Sequence, residues 1–199
     1  MQTIANCRSC GTADLTALFS LGEQYVSNFV NKINITKGIK VPIELVLCEH
    51  CSLVQLRHTA PQDFLYSRYY WYRSGVTDFM KKALRDITCR IQSTIQLNSG
   101  DIVLDIGSND GTLLRTYTTE GLIKVGVEPA SNLVEEGCKG LNHFINDFWS
   151  IDSYLKVVGK KAKIITAIGM FYDLDDPNKF IGDIAKALED DGVFVAQLM

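Results

Sequence analysis

Val103-Leu104-Asp105-Ile106-Gly107-Ser108-Asn109-Asp110-Gly111-Thr112-Leu113-Leu114 decides the fold of this chain of 199 residues. An apolar run carrying one acid reads as a buried strand, which enters a glycine turn and then a helix expected from Asp110 to about Glu120. Outward from it the same alternation repeats. Strands are expected at Ile123 to Val127, His143 to Ile145, Ile164 to Ile168 and Gly192 to Leu198. A short helix is expected from Asn132 to Cys138. Another runs from Asp176 to Leu188, with Phe180, Ile181, Ile184 and Leu188 on one face. Upstream, Phe79, Met80, Ala83, Leu84, Ile87 and Ile91 recur at helical spacing before the Asn98-Ser99-Gly100 break. Strands alternating with helices predict an α/β domain, a doubly wound parallel sheet with helices on both faces. The chain stops on the fifth strand, whose covering helix is absent. That predicts a truncated chain, or a further carboxyl-terminal domain or partner covering the edge.

The turn also speaks to a ligand. Gly107 lets the backbone approach a bound molecule without a β-carbon in the way, and Gly111 lets the helix start close to the strand. The spacing is G-x-x-x-G, not the G-x-G-x-x-G of dinucleotide folds, and no G-x-x-x-x-G-K-[ST] phosphate loop occurs. Asp105 and Asp110 place carboxylates beside the pocket, which disfavours a pyrophosphate and suits a ligand carrying an ammonium or sulfonium. Glu128 closes the second strand, where an acid accepts hydrogen bonds from ribose hydroxyls. Together these residues predict S-adenosylmethionine at the carboxyl ends of the first two strands.

The amino-terminal third is built differently. Cys7-x-x-Cys10 and Cys48-x-x-Cys51 are matched knuckles, each followed by a small residue (Gly11, Ser52). Two knuckles supply four thiolates in the tetrahedral array that zinc prefers, and a closed four-sulfur set leaves no position for water, so the zinc is structural. The long interval between the pairs requires an inserted hairpin. Cys89 and Cys138 stand apart. Residues 1–60 are therefore expected to form a β-rich zinc domain, 61–78 an aromatic connector (Phe64 to Tyr72 above all), and 79–199 the ligand-binding sheet.

Composition narrows the partners. Hydrophobic residues make up 46% and charged residues 22%, with 20 Lys plus Arg against 23 Asp plus Glu, a net charge of −3. An acidic balance argues against a polyanionic partner, so no nucleic acid is expected. There is no apolar run of membrane-spanning length and no basic-then-apolar leader, so a cytoplasmic, membrane-free protein with reduced cysteines is the expectation.

Four ordered motifs carry a family resemblance: C-R-x-C-G at Cys7, L-C-x-x-C-x-L-V-Q-L from Leu47 to Leu56, Y-x-Y-x-S at Tyr70, Tyr72 and Ser74, and D-I-G-S-N-D-G-T-L-L from Asp105. The chain resembles the sugar C-methyltransferases, which methylate carbon 3 of nucleotide-linked 4-keto deoxysugars. The resemblance implies a small zinc domain followed by a class I methyltransferase (Rossmann-like) sheet, incomplete at its carboxyl end, with a nucleotide sugar as the small-molecule substrate. It implies zinc at Cys7, Cys10, Cys48 and Cys51, and cofactor contacts at Gly107, Ser108, Asn109, Asp110 and Glu128. It further implies Asp147 and Phe148 near the adenine, and Ala167, Ile168, Gly169 and Met170 along the methionine arm. Tyr72, with Tyr70 as alternate, resembles the tyrosine that reaches the reacting sugar. The family's Glu/His-rich segment with the proton-abstracting base would lie beyond Met199. Its Asn-Val pair after the fourth strand is replaced here by Gly169-Met170-Phe171, which leaves the sugar open. Two other readings remain: a zinc-containing RNA methyltransferase, or a cofactor-binding module without activity of its own.

Overall fold

In the computed structural model, residues 2–26, 32–33, 38–67 and 69–198 are described. The chain divides into two units, Met1–Ser67 with Asp175–Asn178, and Arg68–Leu174 with Lys179–Met199.

The first unit is β-rich. Strand β1 (Gln2–Thr3) is followed by the long strands β2 (Leu15–Tyr25) and β3 (Lys40–Cys48), then β4 (Val54–Leu56) and β5 (His58–Thr59). β2 and β3 pair antiparallel from Leu15↔Cys48 to Tyr25↔Lys40, which is the inserted hairpin. β3 then pairs with β4, giving the order β2-β3-β4, while β1 and β5 form a separate two-stranded ribbon. The pairing delivers Cys48 at the end of β3.

The second unit holds α1 (Asp78–Thr94), β6 (Ile102–Ile106), α2 (Thr112–Arg115), β7 (Ile123–Val127), α3 (Val134–Gly137), β8 (His143–Ile145), α4 (Ile151–Val158), β9 (Ala162–Ile168), α5 (Pro177–Ala187) and β10 (Leu188–Gln197). Its five strands are all parallel in the order β10-β9-β6-β7-β8. The doubly wound α/β architecture read from the sequence is thus borne out. The pleat sorts β6 by alternate residues. Ile102, Leu104 and Ile106 join a core with Tyr154 of α4 and Phe180 and Ile184 of α5. Val103 packs instead with Leu84 and Ile91 of α1 and Leu113 and Leu114 of α2.

Four local readings are corrected. The helix expected from Asp110 to Glu120 is a single turn, Thr112–Arg115. The Gln92 Oε1 accepts from the backbone N–H groups of Thr118 and Thr119 and from both hydroxyls, so the threonines are held by side-chain bonds that compete with a helical ladder. Phe79 and Ile181, assigned to apolar helix faces, are 82% and 41% exposed. Helix α4 was not foreseen, although it is capped at both ends: Ser150 accepts from the Ser153 N–H, and Gly159 takes the left-handed conformation. The fifth strand also begins earlier than expected, with an irregularity between Leu188 and Val193 before regular pairing to β9.

Candidate functional site

In a parallel sheet all carboxyl ends lie along one edge. The strand order reverses direction about β6, since β7 and β8 lie on one side of it and β9 and β10 on the other. Such a switch point leaves a crevice beyond the strand ends. Register brings Ile106 beside Val127 and Ala167, so Gly107, Glu128 and Ile168 follow side by side at that edge.

The turn after β6 is built on left-handed residues, Gly107 (φ 72), Asn109 (φ 51) and Gly111 (φ 75). Gly107 and Ser108 both donate their N–H to the Val127 carbonyl. Gly107 has only the Met170 side chain over its bare face, 3.3 Å from where a β-carbon would stand. Gly111 is closed in by backbone. A β-carbon there would stand 2.6 Å from the Gly137 carbonyl oxygen, so its bareness serves the packing of α3. The Ser108 hydroxyl is buried without a partner among the described residues, against Gly126 of β7.

Glu128 lies at the centre of this edge. Its Oε2 accepts from the Asn109 N–H and its Oε1 from the Ala130 N–H, both at 2.9 Å. A carboxylate offers about four lone-pair sites, so one on each oxygen remains for further donors. Burial pushes the Glu128 carboxyl up, and the two N–H donors pull against that push. Asp105 points to the α1 and α2 side of the sheet, where its Oδ1 accepts from the Thr166 hydroxyl at 2.6 Å. Burial raises its pKa to about 7, against the pull of Thr166 and with the Glu128 charge adding to the rise. Thr166 was missed in the sequence; a lone hydroxyl inside Ile164-Ile165-Thr166-Ala167-Ile168 was the available signal.

The side chains of Asn109 and Asp110 are occupied by the connector. Asn109 donates Nδ2–H to the Tyr72 carbonyl at 3.0 Å and accepts the Ser74 N–H at 2.9 Å. Asp110 Oδ2 accepts the Gly75 N–H at 2.7 Å, while Oδ1 accepts from Thr112 N–H and Oγ1–H. Asn132 makes a reciprocal pair with the Tyr70 backbone. These bonds lay residues 70–75 along the turn as a strap. The Tyr70 ring is half-buried, and burial, followed by the charges of Asp173 and Glu128, raises its phenol above the usual range. Tyr72 is 48% exposed. Asp147 is exposed and caps the Phe148 N–H after β8. At the end of β9, Ala167 is buried, and Gly169 (φ 68) donates to the Gln197 carbonyl.

In the first unit, the sulfurs of Cys7, Cys10, Cys48 and Cys51 all lie within 4.8 Å of one another. The Cys7–Cys51 and Cys10–Cys48 separations are both 3.6 Å. Four sulfurs about 2.3 Å from a tetrahedral zinc stand about 3.8 Å apart, so the set fits that ion. Both knuckles turn alike: Gly11 and Ser52 sit at φ 77 and 62 and donate to the carbonyls of Cys7 and Cys48. Burial alone would raise the Cys7 thiol, but donors from Cys10, Ser9, Gln55 and Cys51 bring it down to about 6. Gln55 is the residue the sequence motif contained without assigning. Buried, it donates Nε2–H to Cys7 Sγ at 3.2 Å while Oε1 accepts the Arg8 N–H at 3.1 Å. His50 is exposed, apart from the thiol set.

Comparison with known proteins follows the same division. Residues 7–66 match the family model described as "Putative zinc binding domain". Residues 76–198 match the model of a methyltransferase domain, which is more than half of the chain. The chain belongs to this methyltransferase domain family. The chain aligns with the C-methyltransferase NovU of Streptomyces niveus at 25% identity over 202 residues, covering 100% of this chain and 48% of NovU. The chain thus spans about half the length of that curated relative. The zinc model, the methyltransferase model and this alignment together bear out the resemblance carried by the four motifs. The plantazolicin methyltransferase BpumL in complex with SAH superposes at a TM-score of 0.48 with 16% identity, covering 59% of this chain and 46% of BpumL. A SAM-dependent methyltransferase from Thiobacillus denitrificans in complex with S-adenosyl-L-homocysteine gives 0.43 and 20%, with 56% and 47% covered. At those scores the structural likenesses add nothing to what the family models show. Among the described residues, no helix is long and apolar enough to cross a membrane.

Proposed function

We propose that this chain binds S-adenosylmethionine at the carboxyl edge of its parallel sheet and transfers the methyl group to carbon of a nucleotide-linked keto-deoxysugar. The observation that carries the reading is Glu128, a buried acid closing β7 with one acceptor site left on each oxygen, beside the left-handed turn at Gly107. Two ribose hydroxyls are the donors that such a carboxylate suits. The name of the aligned relative, a C-methyltransferase, supports carbon as the acceptor. The proposal extends to Gly107, Ser108, Asn109, Asp110, Asp147, Phe148, Ala167, Ile168 and Gly169 as the surroundings of the cofactor.

The bound cofactor supplies an electrophilic methyl group on a positively charged sulfur. The chain's residues supply the rest. Asn109 and Asp110 hold the strap against the turn and so fix where Tyr70 stands. Tyr70 remains a phenol because burial and the charges of Asp173 and Glu128 oppose its ionisation. A protonated phenol donates a hydrogen bond to an enolate oxygen, which lowers the cost of charge developing on a ketone that has lost its α-proton. This favours Tyr70 over the half-exposed Tyr72 as the group facing substrate. Zinc held by Cys7, Cys10, Cys48 and Cys51 would be structural: with all four positions filled by sulfur, it would offer no site to substrate or water.

Calorimetric titration with S-adenosylhomocysteine tests the first part: the chain should bind, and Glu128→Ala should weaken binding at least tenfold. Transfer of labelled methyl from S-adenosylmethionine to a nucleotide-linked 4-keto sugar, with the product located by carbon NMR, tests the second. No binding by the unaltered chain would refute the cofactor site. Binding followed by methylation on oxygen or nitrogen would refute the carbon acceptor.

A further inference from the structure

A concave site lies in the methyltransferase unit, beside the glycine turn. It is a cleft of about 760 Å³ between α1 and α2, and its wall includes Arg73, Lys81, Arg85 and Arg115 against the two acids Asp110 and Glu136. Its size falls in the range of small-molecule pockets, roughly 300–1,000 Å³. Four cations around one cleft stand out in a chain whose net charge is −3.

The acids offset only part of that charge, two carboxylates against four cations. Both oxygens of Asp110 are taken up by the N–H groups of Gly75 and Thr112 and the Thr112 hydroxyl. Glu136 pairs with Lys139 at 2.6 Å. Among the cations, Arg115 is committed to the backbone: it donates to the carbonyls of Asp110, Glu136 and Lys139. Lys81 meets only the fully exposed Asp78, an ion pair that water screens. No hydrogen bond or ion pair is found for the side chains of Arg73 and Arg85 among the described residues. The wall hydroxyls are spent too, since Thr116 and Thr118 bond Thr88 and Gln92. What the cleft has left to offer is therefore two guanidinium forks and an ammonium. That donor set matches the oxygens of a phosphate, which accepts bidentate bonds from arginine. Among the described residues, no aromatic ring lines the cleft to stack a nucleobase.

We propose that this cleft binds the phosphate or diphosphate group of a small molecule through Arg73, Lys81 and Arg85, in a lining that borders the glycine turn at Asp110 and includes neither Gly107 nor Glu128. Calorimetry on the full chain with inorganic pyrophosphate as the probe decides the matter. Expected are saturable binding that weakens as salt is raised, and at least a tenfold loss of affinity in Arg73→Gln/Arg85→Gln. Lys82→Gln, an exposed change on α1 outside the cleft, should leave the affinity within twofold. Arg85→Gln alone, on an exposed helical position, should lose affinity even where the double variant proves unstable in a thermal melt. S-adenosylhomocysteine should not compete. Thymidine diphosphate serves to separate two sources of the anion: tighter binding than pyrophosphate marks a nucleotide ligand, and equal binding marks a free phosphorylated one. The proposal is overturned by absence of pyrophosphate binding at millimolar concentration, by equal losses in Lys82→Gln, by competition with S-adenosylhomocysteine, or by binding of RNA in place of pyrophosphate.

Discussion

Replacing Asp105 by asparagine should stabilise the ligand-free protein, and by an amount that depends on pH in a defined way. Asp105 is 3% exposed, and burial raises its pKa to about 7. An unfolded aspartate titrates near 3.9, so between about pH 4 and pH 7 the native state holds a proton that the unfolded state has released. The native state binds more protons in that window, and stability therefore falls as pH rises through it, by about 1.4 kcal/mol per unit. Above pH 7 both states are ionised and the fall stops. The total is about 4 kcal/mol, an upper figure for one buried carboxyl. The local bonding agrees with a protonated acid. The single Thr166 hydroxyl proton lies within reach of two acceptors, Asp105 Oδ1 and the Leu104 carbonyl. A proton on Asp105 can be donated to Thr166 Oγ1, which frees the threonine to bond Leu104. The side-chain amide introduced by Asp105→Asn can donate in the same way at every pH. Urea denaturation of both proteins at pH 5.5, 7 and 8.5 measures the effect. The stability difference, variant minus parent, should grow by about 2 kcal/mol from pH 5.5 to 7 and then level off. Both proteins carry the same four cysteines, so the pH dependence of metal binding cancels in the difference. A difference that stays flat across the range would refute the reasoning.

Three further outcomes follow from the two units. Cys48→Ser should abolish stoichiometric zinc, measured by metal analysis after gel filtration, whereas Cys89→Ser and Cys138→Ser, at exposed thiols outside the cluster, should retain it. Gln55→Leu should keep zinc but weaken it by about 10- to 100-fold in competition with a chromophoric chelator, because Cys7 loses the amide that orients its sulfur. Gly111→Ala should lower stability by at least about 2 kcal/mol in denaturant titration, since the new β-carbon meets a backbone oxygen in a left-handed conformation. Gly107→Ala, which meets only the flexible Met170, should cost less.

Periodicity, turn chemistry and cysteine spacing are local, and what they encode was legible in the chain itself. The run from Val103 to Leu114 determined a strand and a glycine turn, because Val103, Leu104 and Ile106 are apolar in one short stretch and Gly107 and Gly111 can adopt a left-handed backbone without strain. Two knuckles with matching small residues determined a four-thiol set, because each turn aims its own sulfurs. The length of a helix was less legible: the threonines after Arg115 are claimed by Gln92, a residue 26 positions away from Thr118. Only the tertiary structure decided what Asn109 and Asp110 hold. Their type and position suit a ligand, yet their side chains bind the strap at Tyr72, Ser74 and Gly75. It also decided that Tyr70 is the half-buried tyrosine, that Gly111 answers to Gly137, and that Gln55 reaches Cys7. Each of these depends on which side chain a distant segment brings into reach. Hydrogen bonds and close packing act over a few ångströms in space, and sequence patterns report such distances only when the partners are also neighbours along the chain.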